Sequence, residues 1–430
     1  MKWSLYNVFY EHNNKSIVLY NYAVDSVIIL VKELKEIIDL HRDKIDNLSI
    51  VHPDLYKEFI YKGFIIDDNI DEKEFAIKRI NKKLDSPEVF KLTINPTLDC
   101  NLRCWYCYET LIPNSLISLN IMEGIKRFLL KIITNQELKS LELSFFGGEP
   151  LFKTKERILS IISFAQRHCE LNCKILNLHF TTNATLLSHS IIKQLASLRL
   201  NTTIQVPFDG GREQHNQIKK FRSLRGSYDI VLKHMINALR HGINVYIRCN
   251  YTTENISSFT SLIEEVNRLA GQYKNRISFY MQQVWQTAPN LSMYKKLEEI
   301  KSLLIKNGFD NNLEGKDAVS QFCYADFENS LVINYNGDIF KCTARDFKTA
   351  NRIGTLHYDG SIVYNENYRK RRLARFNQVC KDCLILPICT ICSQKRYEMK
   401  DRNACPENIS EEDKRNQIVY RLKALYSDYL

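Results

Sequence analysis

The sequence predicts an α/β fold: a partial (β/α)6 barrel preceded by a small N-terminal α+β module and followed by a cysteine-rich C-terminal domain. Three observations lead there. Between about residues 90 and 285, six short apolar runs alternate with longer segments of helical periodicity, the pattern of a parallel sheet joined by crossover helices. The stretch before them mixes strand and helix patterns on a smaller scale. After about residue 310 both periodicities weaken and cysteines become frequent. The boundaries this implies are 1–88, 89–285 and 286–430.

In the N-terminal module, residues 16–22 read as a strand and residues 24–40 carry apolar side chains at helical spacing. Pro53 opens a further helix, Lys62-Gly63-Phe64 ends it, and a short strand follows over 64–66. Residues 67–83, acidic and then basic, read as a surface helix leading into the next domain. In the central domain the expected strands are 90–95, 141–146, 177–182, 202–206, 244–250 and 277–282. Between them, helices are expected over 121–134, 156–168, 188–198, 228–241 and 257–270. Such βα units build a parallel sheet, open or curled into a TIM-like partial barrel, whose functional residues gather at the carboxyl ends of the strands.

Composition narrows the function classes. The chain has 430 residues, 44% hydrophobic and 25% charged, ordinary for a globular protein with a large core. It contains no run of eighteen apolar residues, and its first residues lack the apolar core of a signal peptide, so a cytoplasmic protein without membrane contact is expected. The net charge is +11, yet no dense Lys/Arg block interleaved with aromatics appears. This favours a solvated basic surface over a nucleic-acid interface. Thirteen cysteines in such a chain suggest metal or redox chemistry in preference to disulfides. Cys169, Cys173 and Cys249 stand apart from the others and read as packing residues.

The most specific feature follows the first strand of the central domain. Cys100, Cys104 and Cys107 occur as Cys-x3-Cys-x2-Cys in the run Asp-Cys-Asn-Leu-Arg-Cys-Trp-Tyr-Cys-Tyr-Glu. Three thiolates on one short loop can hold three irons of a four-iron cluster and leave the fourth open. A zinc knuckle would need a fourth ligand, and no His or further Cys lies nearby in sequence.

This loop resembles that of the radical S-adenosylmethionine enzymes, and later segments extend the resemblance. Gly147-Gly148-Glu149-Pro150 resembles the family's Gly-Gly-Glu-Pro motif, which holds the methionyl amine. Asn183, in Thr181-Thr182-Asn183, resembles part of a Thr-Asn-Gly motif with Ala184 in place of glycine. Phe208-Asp209-Gly210 resembles a Ser-Leu-Asp-Gly segment with Pro207 in the serine position, where no hydroxyl can be offered. Arg248 and Asn250 match an Ile-Arg-x-Asn pattern, and Arg248 suits the cofactor carboxylate. Tyr106 precedes the third cysteine. The resemblance thus implies S-adenosylmethionine as cofactor beside Tyr106, Gly147, Gly148, Glu149, Pro150, Asn183 and Arg248. A 4Fe-4S cluster with an open iron would sit on Cys100, Cys104 and Cys107. The implied reaction is reductive cleavage to methionine and a 5′-deoxyadenosyl radical that takes hydrogen from a substrate.

Seven cysteines remain: Cys323, Cys342, Cys380, Cys383, Cys389, Cys392 and Cys405. Seven ligands fit one metal badly and two clusters well. The layout resembles the SPASM domain of radical enzymes that act on peptides. Family wiring would give one auxiliary 4Fe-4S cluster to Cys323, Cys342 and Cys392, and the other to Cys380, Cys383, Cys389 and Cys405. The two-residue gap between Cys389 and Cys392 is one shorter than the family's. Gly337, in Asn334-Tyr335-Asn336-Gly337-Asp338, suits a hairpin turn.

The expected function is therefore modification of a ribosomally synthesised precursor peptide, giving a crosslink or an oxidised side chain, with a reductant such as flavodoxin or ferredoxin. The N-terminal module suits peptide docking by strand addition, and Trp285 and Tyr324 are placed near substrate. The alternative within the class is a sulfatase-maturing enzyme, in which an aspartate follows the second auxiliary-domain cysteine. Thr343 occupies that position here, and Asp346 is the one candidate base. The alternative of another class, a non-catalytic iron–sulfur redox or RNA-binding protein, leaves the Gly-Gly-Glu-Pro segment without a role.

Overall fold

The structure, a computed structural model, describes residues 1–221, 223–288, 290–311, 322–401 and 403–426; the expected C-terminal domain lies partly outside them. The chain forms two compact units that do not follow chain order. One comprises Met1–Ser86, Glu314–Glu328 and Lys370–Leu430, the other Pro87–Leu313 and Asn329–Arg369.

In the second unit, six parallel strands appear in sequence order after five strands of the first unit: β6 (Val89–Asn95), β7 (Ser140–Phe145), β8 (Ile175–Thr181), β9 (Asn201–Phe208), β10 (Asn244–Tyr251) and β11 (Ile277–Gln283). Each lies within two residues of its expected position. β12 (Asp310–Asn311) adds to β11, and β13 (Ser330–Asn334) lies parallel to β6 on the other side. A meander of β14 (Asp338–Phe340), β15 (Gly354–Leu356) and β16 (Ile362–Tyr364) continues from β13. Among the described residues β12 and β16 are the edges, so the sheet stays open, as a partial barrel does.

The sequence explains this layering. Along β7, β9 and β10, buried apolar residues alternate with part-exposed polar ones, the period of a strand with two unlike faces. The apolar face meets helices that bury residues at spacings of three and four, such as Ile158, Ile161, Ile162 and Ala165 on Lys155–Leu171. The polar face carries Gln205, Arg248 and Gln282 toward the carboxyl ends, and register places Thr181 beside Gln205, Arg248 beside Pro207 and Asn250 beside Gln282. Cys169 and Cys249 are buried in the apolar core, while Cys173 is exposed.

Residues 329–369, expected to belong to the cysteine-rich domain, instead extend the central sheet. Ser-Leu-Val-Ile-Asn of β13 is buried throughout, and register sets it against Lys91–Asn95. Gly337 closes the β13–β14 hairpin with φ 87°, as its position predicts.

The first unit holds β1 (Lys2–Trp3), paired with β5 (Ile65–Ile66), and a meander of β2 (Asn7–Glu11), β3 (Ser16–Asn21) and β4 (Ser26–Val31). The helix expected over 24–40 is corrected: Ser26–Val31 is a strand and the helix is Lys32–His41. The run Ser-Val-Ile-Ile-Leu-Val is β-branched-rich, and the turn at Asp25 (φ 55°) folds it back onto β3. The cysteine-rich tail packs with this module. Arg421 forks onto Asp25 with contacts of 3.0 and 2.7 Å, and the Tyr22 hydroxyl donates to the Leu384 carbonyl at 2.9 Å. Among the described residues no helix is long and apolar enough to cross a membrane.

Candidate active site

The carboxyl ends of β6 to β11 open onto one pocket enclosing about 160 Å³. Its wall includes Cys100, Cys104 and Cys107, Gly147 and Gly148, Thr181 to Asn183, Arg248, and Gln282 to Gln286. The structure therefore brings together the three cysteines and most of the expected cofactor residues.

The cysteine loop is held from behind. The Asp99 carboxylate, almost fully buried, accepts from the backbone N–H of Cys100 at 2.8 Å and of Asn114 at 3.0 Å. The Leu102 N–H and the Asn183 amide point to the Cys100 sulfur at 3.4 and 3.7 Å. Burial, then the neighbouring Glu149, pushes the Cys100 thiol up to about 12. Iron binds thiolate, so ligation must displace a proton held more tightly than on an ordinary thiol.

Gly147 and Gly148 do more than admit a ligand. A Cβ on Gly147, where φ is 110°, would lie 2.3 Å from the Thr97 carbonyl oxygen, and one on Gly148 would lie 2.3 Å from that of Asp99. Backbone bonds from Gly148 to Thr97 (3.1 Å) and from Glu149 to Asp99 (2.9 Å) lock this turn onto the cysteine loop.

Glu149 is fully buried and, like Pro150, does not line the pocket. Its Oε1 accepts from the Thr182 hydroxyl at 2.7 Å and the Leu151 N–H at 3.2 Å, and its Oε2 from the Asn183 N–H at 2.8 Å. Burial pushes it up to about 7 against the pull of these donors. The carboxylate thus ties the turn after β7 to the end of β8 and sets Asn183 in place. Ala184 takes φ 60°, the left-handed conformation that accounts for glycine in the resembled motif.

The Tyr106 hydroxyl is saturated. It donates to Asp209 at 2.5 Å and accepts from Lys219 at 2.9 Å and Asn250 at 3.0 Å. Arg248 donates to Asn250 at 3.0 Å and forms part of the pocket wall.

Two residues that the motifs did not single out complete the site. Lys219, buried at the end of a short helix, contacts Cys104, Tyr106 and Asp209. Glu109, two residues after Cys107, lines the pocket. Although the residue is only partly buried, both its carboxylate oxygens are inaccessible and without a hydrogen-bond partner, and burial alone raises it to about 9. An unpaired buried carboxyl in a cysteine-lined pocket fits a polar guest. Its position beside the third cysteine was the only sequence signal. Trp285 is half exposed, packs on Tyr108 with ring centroids 5.2 Å apart, and lines the same pocket.

In the first unit, Cys380, Cys383, Cys389 and Cys405 line a second pocket, and Cys323, Cys389 and Cys392 line a third. Cys323 and Cys392 share a hydrogen bond that lowers the Cys392 thiol and raises that of Cys323. Arg396 stands 3.3 Å from the Cys389 sulfur. Cys342 follows β14 in the other unit. Tyr324 belongs to the first unit and is not part of the pocket at the strand ends. Asp346 is likewise outside that pocket, bonded to Asn351 at 2.6 Å and paired with Lys348 at 2.8 Å. Among the described residues no three His, Cys, Asp or Glu side chains converge as a single metal ion would require.

Residues 94–266 match the model of the radical SAM superfamily, and this stretch is a radical SAM domain. The radical SAM cyclopropyl synthase TigE of Paramaledivibacter caminithermalis is 27% identical over 211 residues, covering 44% of this chain and 42% of that protein. The cysteine-type anaerobic sulfatase-maturating enzyme of Clostridium novyi is 21% identical over 358 residues, 72% of this chain and 89% of its own. The crystal structure of Streptococcus suis SuiB aligns with a TM-score of 0.52 at 17% identity, covering 94% of this chain and 98% of SuiB. SuiB has also been solved bound to its precursor peptide SuiA. At that identity the likeness is one of fold.

Proposed function

We propose that this chain, with its radical SAM domain over residues 94–266, modifies a ribosomally made peptide by hydrogen abstraction. The observation that carries the reading is the pocket where Cys100, Cys104 and Cys107 meet the carboxyl ends of β6 to β11. When bound, S-adenosylmethionine and a four-iron cluster supply a carbon radical able to take a hydrogen atom from a substrate.

The chain's own residues bind and orient. Cys100, Cys104 and Cys107 would hold three irons. Gly147 and Gly148, held against the cysteine loop, present backbone to the cofactor. Asn183 and Arg248 offer it polar side chains, and Glu149 and Pro150 serve it indirectly by fixing the turn. Glu109 would accept a donor from whatever fills the pocket, since its oxygens have no other partner. Tyr106 keeps the loop in register through Asp209.

Cys380, Cys383, Cys389 and Cys405, gathered in one pocket, suit one auxiliary cluster. Cys323 and Cys392, in mutual contact, suit a second auxiliary site. A reductant of the flavodoxin or ferredoxin kind would deliver the electron.

A peptide substrate is supported by the likeness to SuiB, which binds a precursor peptide. It is also supported by β4, which pairs only with β3 among the described residues and exposes Ile29 and Val31. A peptide strand could add there. The sulfatase-maturing reading is favoured by the Clostridium novyi relative. Thr343 in the place of the expected aspartate, and the engagement of Asp346 with Lys348 and Asn351, count against it.

The test is incubation of the cluster-reconstituted enzyme, S-adenosylmethionine and dithionite with short peptides encoded beside its gene. A mass loss of hydrogen in one peptide supports the proposal. Turnover of S-adenosylmethionine with no change in any such peptide would overturn the peptide assignment.

A further inference from the structure

Lys219 is a buried ammonium in a place the sequence motifs did not assign. The helix Arg212–Ile218 ends there, and the chain turns back through a bridge between Lys220 and Gly226. A second bridge pairs Leu102, inside the cysteine loop, with Phe221. The Lys219 backbone is fixed at both ends: its N–H donates to the His215 carbonyl at 2.7 Å, and its carbonyl accepts from the Ser227 hydroxyl at 2.6 Å. The side chain is thereby delivered beneath the cysteine loop.

Its Nζ lies 3.5 Å from the Cys104 sulfur, 2.9 Å from the Tyr106 hydroxyl and 3.4 Å from Asp209 Oδ2. Lys219 and Asp209 are both almost fully buried. The Asp209 carboxylate faces the Lys219 ammonium as its counter-ion.

A reduced cluster carries one more negative charge than an oxidised one. A cation hydrogen-bonded to a ligand sulfur favours the reduced state, and in a buried site salt screens little of the effect. We propose that Lys219 is a positioning residue that orients Cys104 and raises the reduction potential of the cluster built on the Cys100–Cys104–Cys107 loop. The inference rests on the reading of that loop given above.

The test is a potentiometric titration of the reconstituted full chain, following the reduced-cluster EPR signal that S-adenosylmethionine perturbs. Lys219→Met is expected to move the midpoint to more negative potential, and Lys219→Arg, which keeps the charge, to recover more than half of the shift. The double variant Lys219→Met/Asp209→Asn leaves no unpaired buried carboxylate. It carries the test if the single variant does not fold, and its midpoint is expected between Lys219→Met and wild type. Equal midpoints in wild type and Lys219→Met, or, if that variant does not fold, in the double variant and Asp209→Asn alone, would overturn the inference while leaving the site reading intact. Wild-type protein that binds iron yet shows no S-adenosylmethionine-sensitive signal would overturn the site reading, and the inference with it.

Discussion

Gly148 and the Asp99 carbonyl are packed so closely that a Cβ on residue 148 would stand 2.3 Å from the oxygen. The turn after β7 and the cysteine loop after β6 share this space only because the side chain is absent. Gly148→Ala must push one backbone away from the other, at an expected cost of about 2 kcal/mol or more. Urea denaturation should show the loss in midpoint, and iron bound at the first loop should fall with it. Wild-type stability and iron content in this variant would contradict the packing account.

Glu149→Gln tests whether this carboxylate works as a tie. Both oxygens accept hydrogen bonds, from Thr182, Leu151 and Asn183. A glutamine amide must turn its NH2 toward one of these donors. The expected loss is about 1–3 kcal/mol, read by thermal or urea unfolding of the metal-free protein. An unchanged unfolding midpoint would mean the donors are satisfied otherwise.

His215 gives a pH prediction. Burial, and then the Lys219 ammonium, hold its imidazole well below the ordinary value. Its Nδ1 faces the Asp209 N–H at 3.4 Å and its Nε2 faces Ser227 at 3.1 Å, so the neutral ring with the proton on Nε2 fits. In the unfolded chain it takes up a proton near pH 6.5, and in the folded chain it resists. The unfolded state then binds more protons, and stability falls as pH drops below about 6.5, by about 1.4 kcal/mol per pH unit for this group. His215→Gln should remove that part of the acid slope. Identical slopes in both proteins would show that His215 protonates freely in the fold.

The pocket shared by Cys380, Cys383, Cys389 and Cys405 predicts a discrete metal loss. Cys380→Ala/Cys383→Ala should lower bound iron by about four per chain, one cluster's worth, and keep the EPR signal that responds to S-adenosylmethionine. Loss of that signal along with the iron would contradict two independent sites.

Much of this was legible in the sequence. The six parallel strands announce themselves by alternation, and each motif falls at a strand's carboxyl end, where the sheet must place it. The β4 strand was hidden because Ser26–Val31 runs directly into a helix, and a continuous apolar run carries no period of its own. The pairing of β13 with β6, and the packing of Arg421 on Asp25, join segments hundreds of residues apart. Only tertiary structure reveals them. Glu149 also accepts three hydrogen bonds from the chain itself, which its motif does not announce. Lys219 lay in an unremarkable basic pair until the fold brought it to Cys104.

The most direct measurement is 5′-deoxyadenosine formation by the reconstituted, dithionite-reduced protein, compared with a Cys100→Ala/Cys104→Ala/Cys107→Ala variant. The account predicts product from the wild type and none from the variant, which should still hold iron at its remaining cysteines. Wild-type protein with full iron content that forms no 5′-deoxyadenosine, or a triple variant that forms as much as wild type, would contradict it.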